Sequence, residues 1–198
     1  MNIINKFKLL NSYKHAKQSK GQILLLLLLC LLVPVSMQVN AENNLAHSKT
    51  TDVQHAEIAQ VLTAFHQAAA NAKFESYFAQ LADSAIFLGT DGQERWTKAE
   101  FQNYVKPHFS KGRGWLYQAT ERNISDTPIA EVKIFDELLV NSNYGKCRGS
   151  GVMVLTKQGW KIAQYNLSIP VPNAIAQQVV EKIEGHHQLK SEPASNKG

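Results

Sequence analysis

The segments KCRGSGVMVLT (residues 146–156) and GWKIAQYNLSI (residues 159–169) decide the fold, because each is a long run in which apolar and polar residues alternate. This period of two is typical of β-strands that bury one face. Gly149 and Gly151 interrupt the first run, and glycine inside a strand favours a bend or a bulge. The segments therefore predict two neighbouring antiparallel strands in a sheet that curls near these glycines.

Two similar runs precede this pair, at residues 115–124 and 129–140. Four strands in succession favour an antiparallel meander. A shorter strand is predicted over residues 85–88, before a turn with the sequence Gly-Thr-Asp-Gly at residues 89–92. The second half of the chain is therefore expected to supply most of the sheet.

Helices are predicted mainly in the first half of the chain. Thr51 with Gln54, and Thr97 with Glu100, have the spacing of helix capping boxes. Apolar residues at spacings of three and four follow the first box, as in an amphipathic helix, and a short helix is predicted over residues 74–81. Helices followed by a long curled sheet predict an α+β fold with a cavity between the sheet and the first helix.

The first 41 residues differ from the rest, because five lysines and no acidic residue precede Glu42. An unbroken apolar run from Ile23 to Val33 follows, and the segment ends in Val39-Asn40-Ala41. This pattern is typical of a signal peptide cleaved after Ala41, so we expect an exported protein, periplasmic or secreted. The apolar run is shorter than the roughly 20 residues of a membrane span, and an uncleaved N-terminal anchor is the alternative.

The sequence predicts four segments: a signal peptide at residues 1–41, a flexible lead-in at 42–53, one domain at 54–184 and a disordered tail at 185–198. Removal of the five N-terminal lysines leaves 16 of the 21 Lys and Arg residues against 16 Asp and Glu. A formally neutral domain argues against a nucleic-acid partner, and against a membrane partner after cleavage.

Cofactor and metal motifs are absent from the sequence. Cys147 is the single cysteine outside the signal peptide, which excludes an intramolecular disulfide and a cysteine-rich metal site. No zinc-protease motif, acidic calcium loop or phosphate-binding loop is present either. We therefore expect no metal and no cofactor.

Five blocks together resemble the SnoaL-like branch of the nuclear transport factor 2-like (NTF2-like) superfamily. They are Phe87-Leu88-Gly89-Thr90-Asp91-x-x-Glu94-Arg95-Trp96, Phe109-x-x-Gly112-x-Gly114-Trp115, Phe135-Asp136-Glu137, Arg148-Gly149-Ser150-Gly151 and Trp160-Lys161-Ile162-x-x-Tyr165-Asn166. The resemblance covers about residues 54–184. It implies a cone in which a curved antiparallel sheet packs on a long N-terminal helix, with a pocket at the open end and homodimers formed through the sheet.

The resemblance implies less about activity. The superfamily includes polyketide cyclases, ketosteroid isomerase and scytalone dehydratase, but also domains that only bind or associate, so function must come from the site. The acid–base residues of those enzymes do not fall unambiguously on positions of this chain. No catalytic residue is therefore carried over.

Two side chains are candidate proton-transfer groups. Alternation along residues 129–140 places Asp136 among apolar neighbours, where desolvation would raise the pKa of a carboxyl group and suit it to acid–base catalysis. A structural ion pair with Arg148 on the next strand is the alternative. His66 lies at the margin of the apolar stripe of the first helix, where it could reach the pocket or simply pack beside the core.

Seven side chains are expected to line the pocket. Alternation along residues 159–169 places Gln164 and Asn166 on the face of Trp160. If this face is concave, both amides point into the pocket, where they could orient a carbonyl or hydroxyl group. Asp91, Glu94 and Arg95 precede a tryptophan in a loop that could cover a binding site, or could form local ion pairs. The seven are Trp96, Tyr104, His108, Arg148, Trp160, Gln164 and Asn166.

Three functions are compatible with the sequence. The first is an exported domain that binds a small, partly apolar molecule in the cone pocket. The alternative is a cofactor-free lyase or isomerase that uses Asp136 or His66 as a base, with Arg148 or Tyr104 as electrostatic partner. The third is a homodimeric interaction protein with a vestigial pocket, in which the outer sheet face around Tyr165 and Leu167 forms the contact.

Overall fold

The computed structural model describes residues 49–191, and the side chains of residues 49–186. The predicted signal peptide therefore lies outside the described residues. The chain divides into two units, Met1–Gln54 and His55–Gly198. Of the first unit, residues 49–54 are helical, so the predicted flexible lead-in is wrong for residues 49–53, and the helix is already formed upstream of the predicted capping box at Thr51. All the other described helices and strands belong to the second unit.

The predicted helices and strands occur in the predicted order, and a short strand at residues 95–97 was not predicted. Helix α1 occupies residues 49–70. It is followed by α2 (Phe74–Phe78), β1 (Leu81–Leu88), β2 (Arg95–Thr97), α3 (Lys98–Phe109), β3 (Gln118–Asp126), β4 (Val132–Asn141), β5 (Gly145–Thr156), β6 (Gly159–Ser168), a 3-10 turn (Asn173–Ile175) and α4 (Ala176–Ser191).

One six-stranded sheet has the order β2-β1-β6-β5-β4-β3. The four long strands β3 to β6 pair antiparallel in succession, which confirms the predicted meander. Strand β1 joins the free side of β6 in parallel, and β2 pairs antiparallel with β1. The α+β fold with a curved sheet on the N-terminal helix is the predicted one.

Helix α3 starts where the sequence predicts. The Thr97 amide donates to Glu100 Oε2 at 2.8 Å, and the Glu100 amide donates to Thr97 Oγ1 at 3.4 Å, which forms a reciprocal capping box. The helix buries Phe101, Val105 and Phe109. The capping box therefore fixes the helix that later supplies one wall of a cavity.

The core lies between α1 and the concave face of the sheet. From α1 it contains Ile58, Leu62, Phe65, Ala68 and Ala69, and from the strands it contains Phe87, Phe135, Met153, Ile162 and Tyr165, all buried. A methyl group at Gly151 would overlap the Gln164 carbonyl oxygen, so glycine allows β5 and β6 to approach closely where the sheet curls.

A β-bulge in β6 reverses which side chains face the core. Met153 pairs with Ile162 and Val152 pairs with Gln164, so Ala163 is the additional residue. Before the bulge Trp160 and Ile162 are buried, whereas after it Tyr165 is buried.

The bulge overturns two predictions. Gln164 and Asn166 lie on the convex outer face, not on the face of Trp160, because one additional residue inverts the alternation. For the same reason Tyr165 and Leu167 belong to the core rather than to the outer sheet face.

The predicted orientation of β4 is also wrong. The buried residues of this strand are Lys133, Phe135, Glu137, Leu139 and Asn141, so Asp136 points to the outer face. The polarity of the side chains does not indicate which face of β4 is buried. The outer face carries the exposed apolar side chains Ile134 (47% exposed), Leu138 (37%) and Val140 (44%), whereas the fully buried Glu137 lies on the inner face.

The C-terminal part is more helical than predicted. A 3-10 turn covers Asn173–Ile175, and α4 runs from Ala176 to Ser191. The predicted disordered tail is therefore wrong for residues 185–191, and residues 192–198 lie outside the described part.

Across residues 49–191, no helix combines the length and the apolar character that crossing a membrane requires.

Candidate functional site

A cavity of about 480 Å³ opens between α3, the connection from β1 to β2, the segment before β3 and the turn from β4 to β5. We call it the Trp96 pocket. Seven of its lining residues are aromatic: Phe87, Trp96, Phe101, Tyr104, Trp115, Tyr117 and Tyr144. Its polar side chains are Thr90, Glu94, His108, Asn141 and Asn143. Such a volume, with apolar walls and a few polar groups, is typical of a small-molecule site.

The wall formed by α3 and β2 is a stack of nearly parallel rings. Trp96 stacks on Tyr104 with centroids 4.9 Å apart and planes at 21°, and on Phe101 at 5.4 Å and 17°. Phe101 in turn stacks on Phe87 at 4.0 Å and 14°. The repeated parallel orientation gives the pocket a flat and rigid aromatic side.

The turn before β2 holds Glu94 at the pocket. The Gly89 amide donates to the Glu94 carbonyl oxygen at 2.8 Å, which closes the turn. Glu94 Oε2 accepts from the Asp91 amide at 3.2 Å. A methyl group at Gly89 would overlap the Glu94 carboxylate, so the glycine provides the space that this carboxylate occupies.

The opposite wall is held by the turn from β4 to β5. Asn141 Nδ2 donates to the Leu116 carbonyl oxygen at 2.9 Å, while its Oδ1 accepts from the amides of Asn143 (2.9 Å) and Tyr144 (3.0 Å). Both ends of the Asn141 side-chain amide are therefore used in stabilising the turn. The ring of the neighbouring Tyr144 lines the cavity.

Tyr117 supplies a protonated hydroxyl group to the pocket. Burial raises the pKa of Tyr117 to about 12, and the nearby Cys147, Tyr144 and Glu94 side chains add smaller increases. The hydroxyl group therefore stays neutral at physiological pH and can both donate and accept a hydrogen bond.

A buried ionic cluster lies apart from this pocket, and we call it the Glu137 cluster. Glu137 is fully buried, and its Oε2 lies 2.8 Å from His66 Nε2 and 3.3 Å from the Tyr165 hydroxyl. The Arg122 Nε donates to Glu137 Oε1 at 2.7 Å, and the same guanidinium group donates to the Ala59 carbonyl oxygen at 2.8 Å. The cluster therefore ties β3 and β4 to α1.

The charges of the cluster compensate one another. Burial alone would raise the pKa of Glu137, but the hydrogen bond and charge of His66, together with Arg122, outweigh burial and hold that pKa below its ordinary value. An ionised carboxylate can only accept, so His66 Nε2 carries the proton of their contact. Burial, and then Glu137, raise the pKa of Tyr165, which keeps its hydroxyl group protonated.

A second cavity of about 460 Å³ runs between α1 and the outer edge of β3. His66, Arg122, Thr63 and Gln67 are among its lining residues. The space between this groove and the Trp96 pocket is only about 20 Å³ and is closed by aromatic side chains such as Phe65. Tyr117 lines both cavities as well as this small space, so it stands where the two cavities approach each other.

The structure brings three of the predicted ligand-binding residues together, because Trp96, Tyr104 and His108 all line the Trp96 pocket. His66 lies in the other cavity and in the Glu137 cluster. Trp160 is buried in the core, where its Nε1 has no partner among the described residues.

The remaining predicted site residues lie on the outer face of the sheet, away from the Trp96 pocket. Gln164, Asn166 and Arg148 lie on the convex face, outside the described lining of either cavity. Asp136 accepts from Asn123 Nδ2 at 3.1 Å, and the ion pairs of the described residues include none between Asp136 and Arg148. The alternative of an ion pair between Asp136 and Arg148 is therefore wrong, and Arg148 stands opposite Leu138 on the neighbouring strand.

Sequence reasoning missed the carboxylate that is buried, Glu137, and its partner Arg122. Their register positions are adjacent, since Arg122 pairs with Glu137 across β3 and β4, but no local sequence pattern shows that register. It also missed Tyr117 and Tyr144, which come from two distant connections.

Over the described residues no three His, Cys, Asp or Glu side chains form a group that could hold a metal ion.

The SnoaL-like domain family matches residues 58–172, more than half of the chain, and the chain belongs to this family. Among solved structures, a candidate scytalone dehydratase from Novosphingobium aromaticivorans matches with a TM-score of 0.54 and 10% identity, over 63% of this chain and 89% of the other. An NTF2-like protein with a cystatin-like fold from the same organism matches with a TM-score of 0.52 and 10% identity, over 70% and 96%.

A third solved structure, an NTF2-like protein from Pseudomonas putida, matches with a TM-score of 0.50 and 11% identity, over 60% of this chain and 87% of the other. At these identities the likeness concerns the fold. A search of curated protein sequences finds no match. The fold thus supports a domain of the small-molecule-binding or isomerase and dehydratase type, and the site must distinguish between these.

Proposed function

We propose that this protein is an exported domain that binds a small, partly apolar molecule in the Trp96 pocket. The observation that carries the proposal is the pocket itself: about 480 Å³ of space beside a stack of parallel aromatic rings, with polar groups at its rim. Aromatic walls and a few hydrogen-bonding groups favour a ligand that is apolar over most of its surface.

The alternative, proton-transfer catalysis, has weaker support from the geometry. A general base works best when its pKa lies near the working pH, but the pKa of Glu137 is held below its ordinary value by His66 and Arg122. Asp136 faces outward and contacts Asn123, away from both described cavities. His66 is the remaining candidate, and its Nε2 is already engaged by Glu137.

Ligand binding can be tested with a screen of water-soluble aromatic and alicyclic compounds against the domain, read by thermal unfolding and by tryptophan fluorescence. Hits should lose affinity in Trp96→Ala, because this ring stacks on both Phe101 and Tyr104. Gln164→Ala on the outer face is the matched control and should bind as the wild type does. Hits that bind Trp96→Ala unchanged would exclude this pocket as the site.

Export is proposed from the first 41 residues, with their lysines followed by an apolar run and Ala41. Mass spectrometry of the protein from its native host should give a chain that begins at Glu42. A full-length chain in the membrane fraction would instead support an uncleaved anchor.

A homodimer through the sheet is the second proposal, although the residues differ from those expected. The exposed apolar side chains Ile134, Leu138 and Val140 lie on the outer face of β4. Sedimentation should show a dimer that Leu138→Lys dissociates. A monomer in the wild type would contradict this proposal without affecting ligand binding.

A further inference from the structure

The Trp96 pocket is lined by an acidic side chain but by no lysine or arginine among the described residues. Glu94 supplies a carboxylate, while no lysine or arginine occurs among the described residues that line the cavity. His108 is the one lining side chain that gains a positive charge on protonation. Pockets built for anionic or carboxylate ligands normally present arginine, lysine or a helix N-terminus, and this one presents the opposite charge.

Among residues 49–186, the Glu94 carboxylate also lacks a cation within ion-pairing distance. No ion pair of the described residues includes Glu94. The adjacent Arg95 is exposed and acts on Glu100, whose pKa its charge helps to lower after the two hydrogen bonds from Thr97. The one described hydrogen bond to the Glu94 carboxylate comes from the Asp91 amide. Glu94 is therefore a half-buried carboxylate of the pocket that has no counter-charge among the described ion pairs.

The surrounding rings favour the same kind of ligand. The faces of tryptophan and tyrosine rings carry partial negative charge and attract cations within about 6 Å of the ring centre. Trp96, Trp115, Tyr104, Tyr117 and Tyr144 all line this cavity. An alkylated ammonium group satisfies both features, because its methyl groups fill apolar space while its charge interacts with the rings and with the carboxylate.

We propose that the ligand of the Trp96 pocket is an organic cation, such as an alkylated amine carried on an apolar or aromatic body. This inference rests on the proposed function, since it assumes that the pocket binds a small molecule. Glu94 acts as the counter-charge, and the aromatic rings exclude water and stabilise the alkylated cationic group. Anions are disfavoured because Glu94 repels them.

Three soluble probes with one shared ring test the proposal: para-hydroxyphenyltrimethylammonium, para-tert-butylphenol and para-hydroxybenzenesulfonate. The first two have nearly the same shape and differ in charge, while the third is anionic. Titration calorimetry on the wild-type domain should show that the cation binds roughly tenfold more tightly than its neutral counterpart. The sulfonate should bind more weakly than either.

Glu94→Gln keeps the shape of the side chain and removes its charge. In this variant the preference for the cation over para-tert-butylphenol should fall to about threefold or less, while affinity for the neutral probe is unchanged. Retained binding of the neutral probe also shows that the variant is folded. A cation preference that persists at its wild-type size would overturn the role of Glu94.

The remaining outcomes separate the two proposals. If the neutral probe or the sulfonate binds the wild type at least as tightly as the cation, the cation inference is wrong, although the pocket still binds small molecules. If no probe binds the wild type at millimolar concentration, the result contradicts the cation inference and counts against the pocket as a binding site.

Discussion

His66 Nε2 lies 2.8 Å from Glu137 Oε2, and this contact joins helix α1 to strand β4 across 71 positions of sequence. Arg122 approaches the other oxygen of the same carboxylate, so the buried charge is compensated from two directions. Because the sheet curves around α1, this contact fixes the position of the helix relative to the sheet. We therefore assign the Glu137 cluster a structural role and the Trp96 pocket a binding role.

The first prediction concerns the charge of Glu137. Glu137→Gln should lower the free energy of unfolding by about 3 kcal/mol, because it leaves Arg122 partly buried without its counter-charge. Urea denaturation at neutral pH measures the change. Asp136→Asn, one position away on the outer face, is the control and should cost less than about 1 kcal/mol. Equal losses in the two variants would contradict a structural role for the cluster.

The second prediction concerns pH. Because the pKa of Glu137 is lower in the folded chain than its ordinary value of 4.5, its ionised form stabilises the fold above that value. This contribution disappears as pH falls from 4.5 through the lower pKa of the folded state. The stability difference between wild type and Glu137→Gln should therefore be largest near neutral pH and shrink in acid. A difference that grows in acid would contradict the assignment.

The order of elements could be predicted from the sequence because it depends on local patterns. Alternation of period two identified the four long strands, and Thr97 with Glu100 marked the start of α3. These patterns involve only a few neighbouring residues, so they can be recognised without knowledge of the tertiary contacts. The parallel pairing of β1 with β6 has no such local signal, and it was not predicted.

The faces of the strands could not be predicted equally well. In β6 a single additional residue, Ala163, inverts the alternation, and nothing in the local sequence distinguishes a bulge from a continuous strand. In β4 the inner face carries Lys133 and Glu137, whose burial depends on partners from other elements. Pairing of charges over long sequence distances therefore overrides the simple expectation that apolar residues point inward.

The candidate site was partly predictable for the same reason. Trp96, Tyr104 and His108 belong to one continuous stretch of loop and helix, so a single correct helix start places them together. Tyr117 and Tyr144 reach the pocket from the segments flanking β3 and β5, and only the curvature of the sheet brings them close.

The third prediction tests how closely β5 approaches the cluster. A methyl group at Gly149 would overlap the Tyr165 hydroxyl group and lie 3.3 Å from Glu137 Oε2. Gly149→Ala should therefore destabilise the fold by about 2 kcal/mol. Tyr165→Phe alone should cost about 1 kcal/mol, since it removes a hydrogen bond of 3.3 Å.

The Gly149→Ala/Tyr165→Phe double variant should be more stable than the sum of the two single effects predicts, because phenylalanine removes the overlapping hydroxyl group. Guanidinium denaturation of the four proteins gives the coupling free energy. Strictly additive effects would show that the two residues do not meet.

The fourth prediction links the turn before β2 to binding. A methyl group at Gly89 would overlap the Glu94 carboxylate, whereas one at Gly92, in the same turn, would meet no atom within 4 Å. Gly89→Ala should therefore displace the carboxylate and weaken binding of para-hydroxyphenyltrimethylammonium about fivefold, with little effect on para-tert-butylphenol.

Gly92→Ala should bind both probes as the wild type does. Calorimetric titration of the two variants, with thermal unfolding as a check of the fold, makes the comparison. If Gly92→Ala weakens cation binding as strongly as Gly89→Ala, the effect comes from general stiffening of the turn, and the position of the Glu94 carboxylate is not what selects the cation.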